Sequence, residues 1–133
     1  MSHRLLRTFD ELDAWLAEHG EFEDGFLEEL NPMPDPIGRV PETVRLVLSY
    51  QIGGGWRAGE ERALRSINVE AQNVTRFELP PGECVQLGNC MEDVVAIDAP
   101  EGLGLRLTVP AFLDIVATCY EVAKPTERRI LIR

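Results

Sequence analysis

Apolar residues recur along this chain with two different periods, and the period changes near residue 42. Between residues 8 and 20 the spacing is helical. Phe9, Leu12, Trp15 and Leu16 fall on one face, and Gly20 supplies a stop. Thr8 followed three residues later by Glu11 reads as a capping box. Asp10, Glu11 and Asp13 crowd the first turn, where the helix dipole favours each by about 0.3–1 kcal/mol. This pattern predicts a helix over 9–19, with His19 as a surface residue favoured by the dipole at its end. Residues 21–30 fit two readings: Phe22, Phe26, Leu27 and Leu30 line a second short helix, or Asp24-Gly25 is a turn and Phe26–Leu30 begins a sheet. The stretch 31–41 holds four prolines, at 32, 34, 36 and 41, and reads as a connector.

From 42 onward the period is two. Val44, Leu46, Leu48, Tyr50 and Ile52 alternate with Arg45, Val47, Ser49 and Gln51, a strand signal. Gly53-Gly54-Gly55 follows and reads as a hairpin turn requiring positive φ. Further strands are expected over Leu64–Asn73, Val74–Leu79, Leu103–Val109 and Arg128–Arg133. Phe112–Val122 fits helix or strand by pattern alone, and Ile115, Val116, Thr118, Tyr120 and Val122 favour strand. Val94–Ile97 is apolar throughout and reads as a buried strand. Six to eight strands without alternating helices predict a mainly β, α+β fold: an antiparallel sandwich or half-barrel over 42–133, led by one helix.

Length and charge refine this picture. A chain of 133 residues suits one domain, 1–133, and buries about two-thirds of its unfolded surface. The net charge is −10, but it is unevenly spread. Residues 1–42 carry eleven acids and three bases (−8), whereas 43–133 carry twelve acids and ten bases (−2). Within 10–29 there are nine acids and no Lys or Arg. An acidic segment of this kind repels phosphate backbones and attracts a basic protein partner. No apolar stretch is long enough for a membrane-spanning helix, and the N-terminus lacks the apolar run of a signal peptide. Cys84, Cys90 and Cys119, an odd number with no export signal, point to free thiols and a cytoplasmic setting. Cys119, inside an apolar run, reads as a small buried hydrophobe.

Candidate chemistry is thin. The two histidines, His3 and His19, lie near the terminus and at the helix end, away from any candidate nucleophile. The cysteines show no paired zinc spacing, the acids form no calcium loop, and the triglycine lacks the dinucleotide spacing. No catalytic residue, metal or cofactor is therefore assigned. Tyr50 and Tyr120 read as core-edge residues whose hydroxyls reach water. Trp56, beside the triglycine, reads as an exposed aromatic that hints at contact. The candidate partner-binding residues are Glu21, Glu23, Asp24, Glu28, Glu29 and Trp56. The alternative is a small-ligand protein or enzyme with a pocket near Trp56 and Tyr50, using Glu60 or Glu61 as acid or base.

Phe22-Glu23-Asp24-Gly25-Phe26-Leu27 resembles the F-x-D-G-x-L/I opening of small bacterial β-sandwich proteins that look like immunity proteins of polymorphic toxin systems. The resemblance covers six residues, and Glu23 stands where those families often have histidine. It implies a cytosolic, non-enzymatic binding protein.

Overall fold

The helix forms where its spacing places it. In a computed structural model, which describes residues 3–35 and 37–133, α1 runs Phe9–Glu18. Both halves of the capping box are made. The Glu11 N–H donates to Thr8 Oγ1 at 3.1 Å, and the Thr8 N–H donates to Glu11 Oε1 at 3.1 Å. Leu12, Trp15 and Leu16 are buried on one face of the helix.

The ambiguous segment 21–30 resolves to the turn-and-strand reading. A single tight turn, Gly20–Phe22, follows α1, and β2 runs Phe26–Asn31. A second helix is not available here because Glu21, Phe22 and Asp24 all take positive φ, at 56°, 51° and 57°. The F-x-D-G stretch works as a folding turn. Phe22 is fully buried, Asp24 takes the left-handed conformation that Asp tolerates, and Gly25 is crowded by backbone on both sides. A Cβ on Gly25 would lie 2.5 Å from the Ser49 carbonyl oxygen and 2.8 Å from that of Phe22.

The remaining strands are β1 (Arg4–Leu6), β3 (Thr43–Gly54), β4 (Glu61–Glu78), β5 (Val94–Ala99), β6 (Gly102–Thr108), β7 (Phe112–Val122) and β8 (Thr126–Leu131). Together they give the expected mainly β, α+β class: among the described residues, eight antiparallel strands in one open sheet with one α-helix. The order is β2-β3-β4-β7-β6-β5, with β1 beside β7 and β8 beside β4. The alternation read along β3 sets its register. Val44, Leu46 and Leu48 lie opposite Ala71, Val69 and Ile67, so three strand pairs of apolar residues share one face. Tyr120 and Val122 of β7 continue that face beyond Ala71 and Val69. These residues, the buried side of α1, Phe22 and Leu6 form one hydrophobic cluster.

Several strand expectations are corrected. Leu64–Asn73 and Val74–Leu79 are one strand, β4, of 18 residues. No turn chemistry separates the two halves; Asn73 takes φ +54° and the pairing with β7 shifts register just beyond it, so the strand bends and continues. Of Val94–Ile97 only Val94 is buried, because β5 pairs with β6 alone and ends the sheet. The short β1 carried too few residues to show a period. The triglycine does not itself make the hairpin turn. Gly53 and Gly54 finish β3, and Gly54 alone of the three has positive φ (91°), where a Cβ would meet the Arg62 Cα at 2.5 Å. The connector 31–41 is irregular wherever it is described after Asn31, while Pro36 lies outside the described residues. Met1 and Ser2, read as part of a non-signal N-terminus, lie outside them too. No helix is long and apolar enough to cross a membrane among the described residues.

Candidate functional site

The six candidate partner-binding residues fall into separate places. Glu21, Glu23 and Asp24 sit together, exposed, on the turn between α1 and β2. Asp10 and Asp13 are exposed on α1 beside them in sequence. None of these five carboxylates forms an ion pair with another described residue. Their charge is not spent on such ion pairs, and Asp24 Oδ1 accepts from the Cys90 thiol at 3.9 Å.

Glu28 is turned inward to the fold. The bulge between Leu27 and Glu29 places its carboxylate over Ser49, Ser66 and Arg128. The Ser66 hydroxyl donates to it at 3.1 Å, and Ser49 and the Arg128 guanidinium also donate. Glu28 thus ties β2 to β3, β4 and β8. Partial burial would raise its pKa, but the hydrogen bonds from Ser49 and Arg128 outweigh burial and hold the carboxyl below its ordinary value of 4.5. The sign of the linkage follows: a depressed folded value gives stability that is present above about pH 4.5 and lost as pH falls through the lower folded value. Glu28→Gln is expected to cost about 1 kcal/mol at neutral pH, after a discount for solvent screening. It should also flatten the stability profile below pH 4.5. Urea melts of both proteins from pH 7 to pH 3 check this; parallel profiles would show that Glu28 is not clamped.

Glu29 lies on the outer face of the sheet, along a groove of about 350 Å³ whose lining includes His3, Asn31, Arg45, Asn68, Glu70 and Glu121. Register puts Glu70 directly opposite Glu121, an unfavourable like-charge pair. Gln72 relieves it by donating to Glu121 Oε2 at 3.0 Å and to Glu70 Oε1 at 3.3 Å. Arg45 donates to Glu70 Oε2 at 3.0 Å, and His3 Nδ1 lies 2.5 Å from Glu121 Oε1. Each oxygen of these two carboxylates thus has a partner within the fold. Cys119, expected as a buried hydrophobe, is half-buried on this side, and its thiol donates to Gln72 Oε1 at 3.3 Å.

Trp56 is 69% exposed in the loop after β3. Tyr50 meets the turn through Phe22, and Trp56 follows six residues further along the chain. Glu60 accepts from the Arg57 N–H at 2.8 Å and Glu61 approaches Arg129 at 3.9 Å. The groove beside Glu29 and a second, of about 610 Å³, between the connector and the loop 79–85 include neither Tyr50, Trp56, Glu60 nor Glu61.

The histidine and tyrosine readings need correction. His19 is not a solvated dipole partner. It caps the C-terminus of α1 with its ring half-buried among Trp15, Phe22 and Tyr50, at centroid distances of 5.3, 5.7 and 5.7 Å. Burial is the main cause holding its pKa below the ordinary value of 6.5. Tyr50 does not simply reach water: its hydroxyl meets His19 Nδ1 at 2.8 Å and Arg65 Nη1 at 3.2 Å. Tyr120 is fully buried, with its hydroxyl 2.8 Å from the Leu103 carbonyl and 2.9 Å from that of Ile115. Sequence reading missed the His19–Tyr50–Arg65 contact because these residues are up to 46 positions apart and carry no common motif. The period-two signal placed Tyr50 on the apolar face of β3, but only register brings Arg65 opposite it.

Fold and surface together define a β-rich α+β domain that carries an exposed acidic turn without ion pairs among the described residues. Comparison with protein-family models, with curated proteins and with solved structures finds no match to this chain.

Proposed function

We propose that this domain is a non-enzymatic binding protein whose acidic turn docks a basic protein surface. The observation that carries the reading is the set Glu21, Glu23 and Asp24: exposed, adjacent and free of ion pairs with other described residues. Asp10 and Asp13 extend the same negative charge along α1. A turn of this kind steers a cationic partner and can speed its association by about 10–10³-fold at low salt. The F-x-D-G resemblance supports one form of this reading, an immunity-like role in which the domain masks a basic face of a toxin. The pocket reading near Trp56 and Tyr50 has less support, because Tyr50 is engaged with His19 and Arg65.

The test compares two triple variants of equal net charge. One reverses Glu21, Glu23 and Asp24 to Lys; the other reverses Glu42, Glu83 and Asp98, exposed acids elsewhere in the chain. Association with a lysine-rich polypeptide at low salt is expected to slow by about 10-fold or more in the first variant. The control should stay near the unmodified protein. Equal losses in both would mean that the acids act only as bulk charge, and the docking reading would fail.

A further inference from the structure

We propose that His19 is an acid-triggered latch, whose protonation releases the turn that carries Glu21, Glu23 and Asp24. The hydrogen-bond directions make the case. Arg65 Nη1 lies 3.2 Å from the Tyr50 hydroxyl oxygen, and a guanidinium can only donate. The phenolic proton is then free to point at His19 Nδ1, 2.8 Å away. With the phenolic proton on that line, Nδ1 accepts and the imidazole is neutral, its proton on Nε2. A protonated imidazole carries N–H on both nitrogens. Its Nδ1–H would displace the phenolic proton and leave that proton without its acceptor, inside a half-buried aromatic cluster.

The charges that bear on the ring come from three elements. Glu18 on α1 favours protonation, whereas Arg65 on β4 and Arg4 on β1 oppose it. Arg65 is itself held by Glu127 of β8, at 2.7 Å, so it cannot easily withdraw. Tyr50 on β3 meets the ring directly, while Asp98 of β5 and Glu21 and Glu23 of the turn, both elements packed on α1, are not among the causes that move it. Burial acts in the same direction as the two arginines and is the largest cause. The folded value therefore lies below 6.5, and stability is lost as pH falls from about 6.5 through that lower value.

The turn is the element that the latch restrains. Gly20, Glu21, Phe22 and Asp24 all have positive φ, between 51° and 60°. Three of them are not glycine, a conformation that persists only when the surroundings impose it. Here the packing of Phe22 against Trp15, His19 and Tyr50 imposes it. The turn's own hydrogen bonds run from Phe22 N–H to the His19 carbonyl (3.1 Å), from Glu23 N–H to Gly20 (3.1 Å) and from Gly25 N–H to Phe22 (2.8 Å). The consequence for docking rests on the function proposed above; the latch itself does not.

The experiment is amide exchange by NMR on the full chain, from pH 7.5 to 5, with the His19 ring followed in parallel. Protection factors at Phe22, Glu23 and Gly25 are expected to fall by about 10-fold or more in step with His19, while those at Leu46 and Val69 stay level. In His19→Gln, a neutral side chain that does not titrate, the step should vanish. In Tyr50→Phe the His19 titration should move up towards 6.5, which keeps the test open if the glutamine variant does not fold. Protection that stays flat through the His19 titration, or a step that survives in His19→Gln, would overturn the latch. Failure of the lysine-rich polypeptide to bind at pH 7.5 while the step is present would remove the docking reading and leave the latch standing.

Discussion

Phe22→Ala is expected to destabilise the fold by about 3–5 kcal/mol, the range for truncating a buried aromatic. Phe22 is fully buried, and its ring centroid lies 5.6 Å from Trp15, 5.7 Å from His19 and 5.4 Å from Tyr50. Its removal opens a cavity at the point where α1, the turn and β3 meet. The site cannot easily collapse, because Gly25 is already pressed between the Ser49 and Phe22 carbonyls. Left-handed backbone at Phe22 also loses the packing that imposes it. Against a total stability of about 5–15 kcal/mol for a domain, this loss is large. Urea unfolding read by tryptophan fluorescence measures it directly, since Trp15 is buried against the same ring. A shift under about 1 kcal/mol would mean that Phe22 does not anchor the turn.

Tyr120→Phe tests the other end of the core at constant shape. The hydroxyl sits between the Leu103 and Ile115 carbonyls, at 2.8 and 2.9 Å, with no exposure to solvent. One proton is shared between two acceptors, so its loss leaves a buried carbonyl without this donor. The expected cost is about 1–3 kcal/mol, with a melting temperature lower by about 3–6 °C per kcal/mol for a chain of this size. Burial also pushes the phenol's pKa far up, so Tyr120 stays protonated and the effect should not vary between pH 6 and pH 9. A neutral substitution would show that neither carbonyl depends on the hydroxyl.

The two substitutions mark where sequence reading succeeds and where it stops. Local chemistry was legible. The Thr8–Glu11 box, the helical spacing through Leu16 and the alternation of Val44, Leu46 and Leu48 each have short-range causes, and each forms as read. Turn conformation was only half legible. Asp24-Gly25 signalled a turn, but nothing local marks Glu21 and Phe22 for positive φ. They adopt it because Phe22 gains more by entering the aromatic cluster than the backbone loses. Asn73 misled in the opposite sense: its bend lies within one strand because both halves of β4 pair with β7 across it.

By itself, then, the sequence determined the N-terminal helix, the antiparallel β-rich class and the concentration of negative charge before residue 42. These rest on period, turn chemistry and composition, which act over a few residues. The tertiary structure alone decided which acids face outward. Glu21, Glu23 and Asp24 remain exposed, while the bulge beside Glu28 turns that carboxylate onto Ser49, Ser66 and Arg128. It also decided that His19 meets Tyr50 and Arg65 rather than solvent. Both outcomes depend on strand register. A shift of one residue moves every side chain to the opposite face, and register is fixed by contacts between distant parts of the chain.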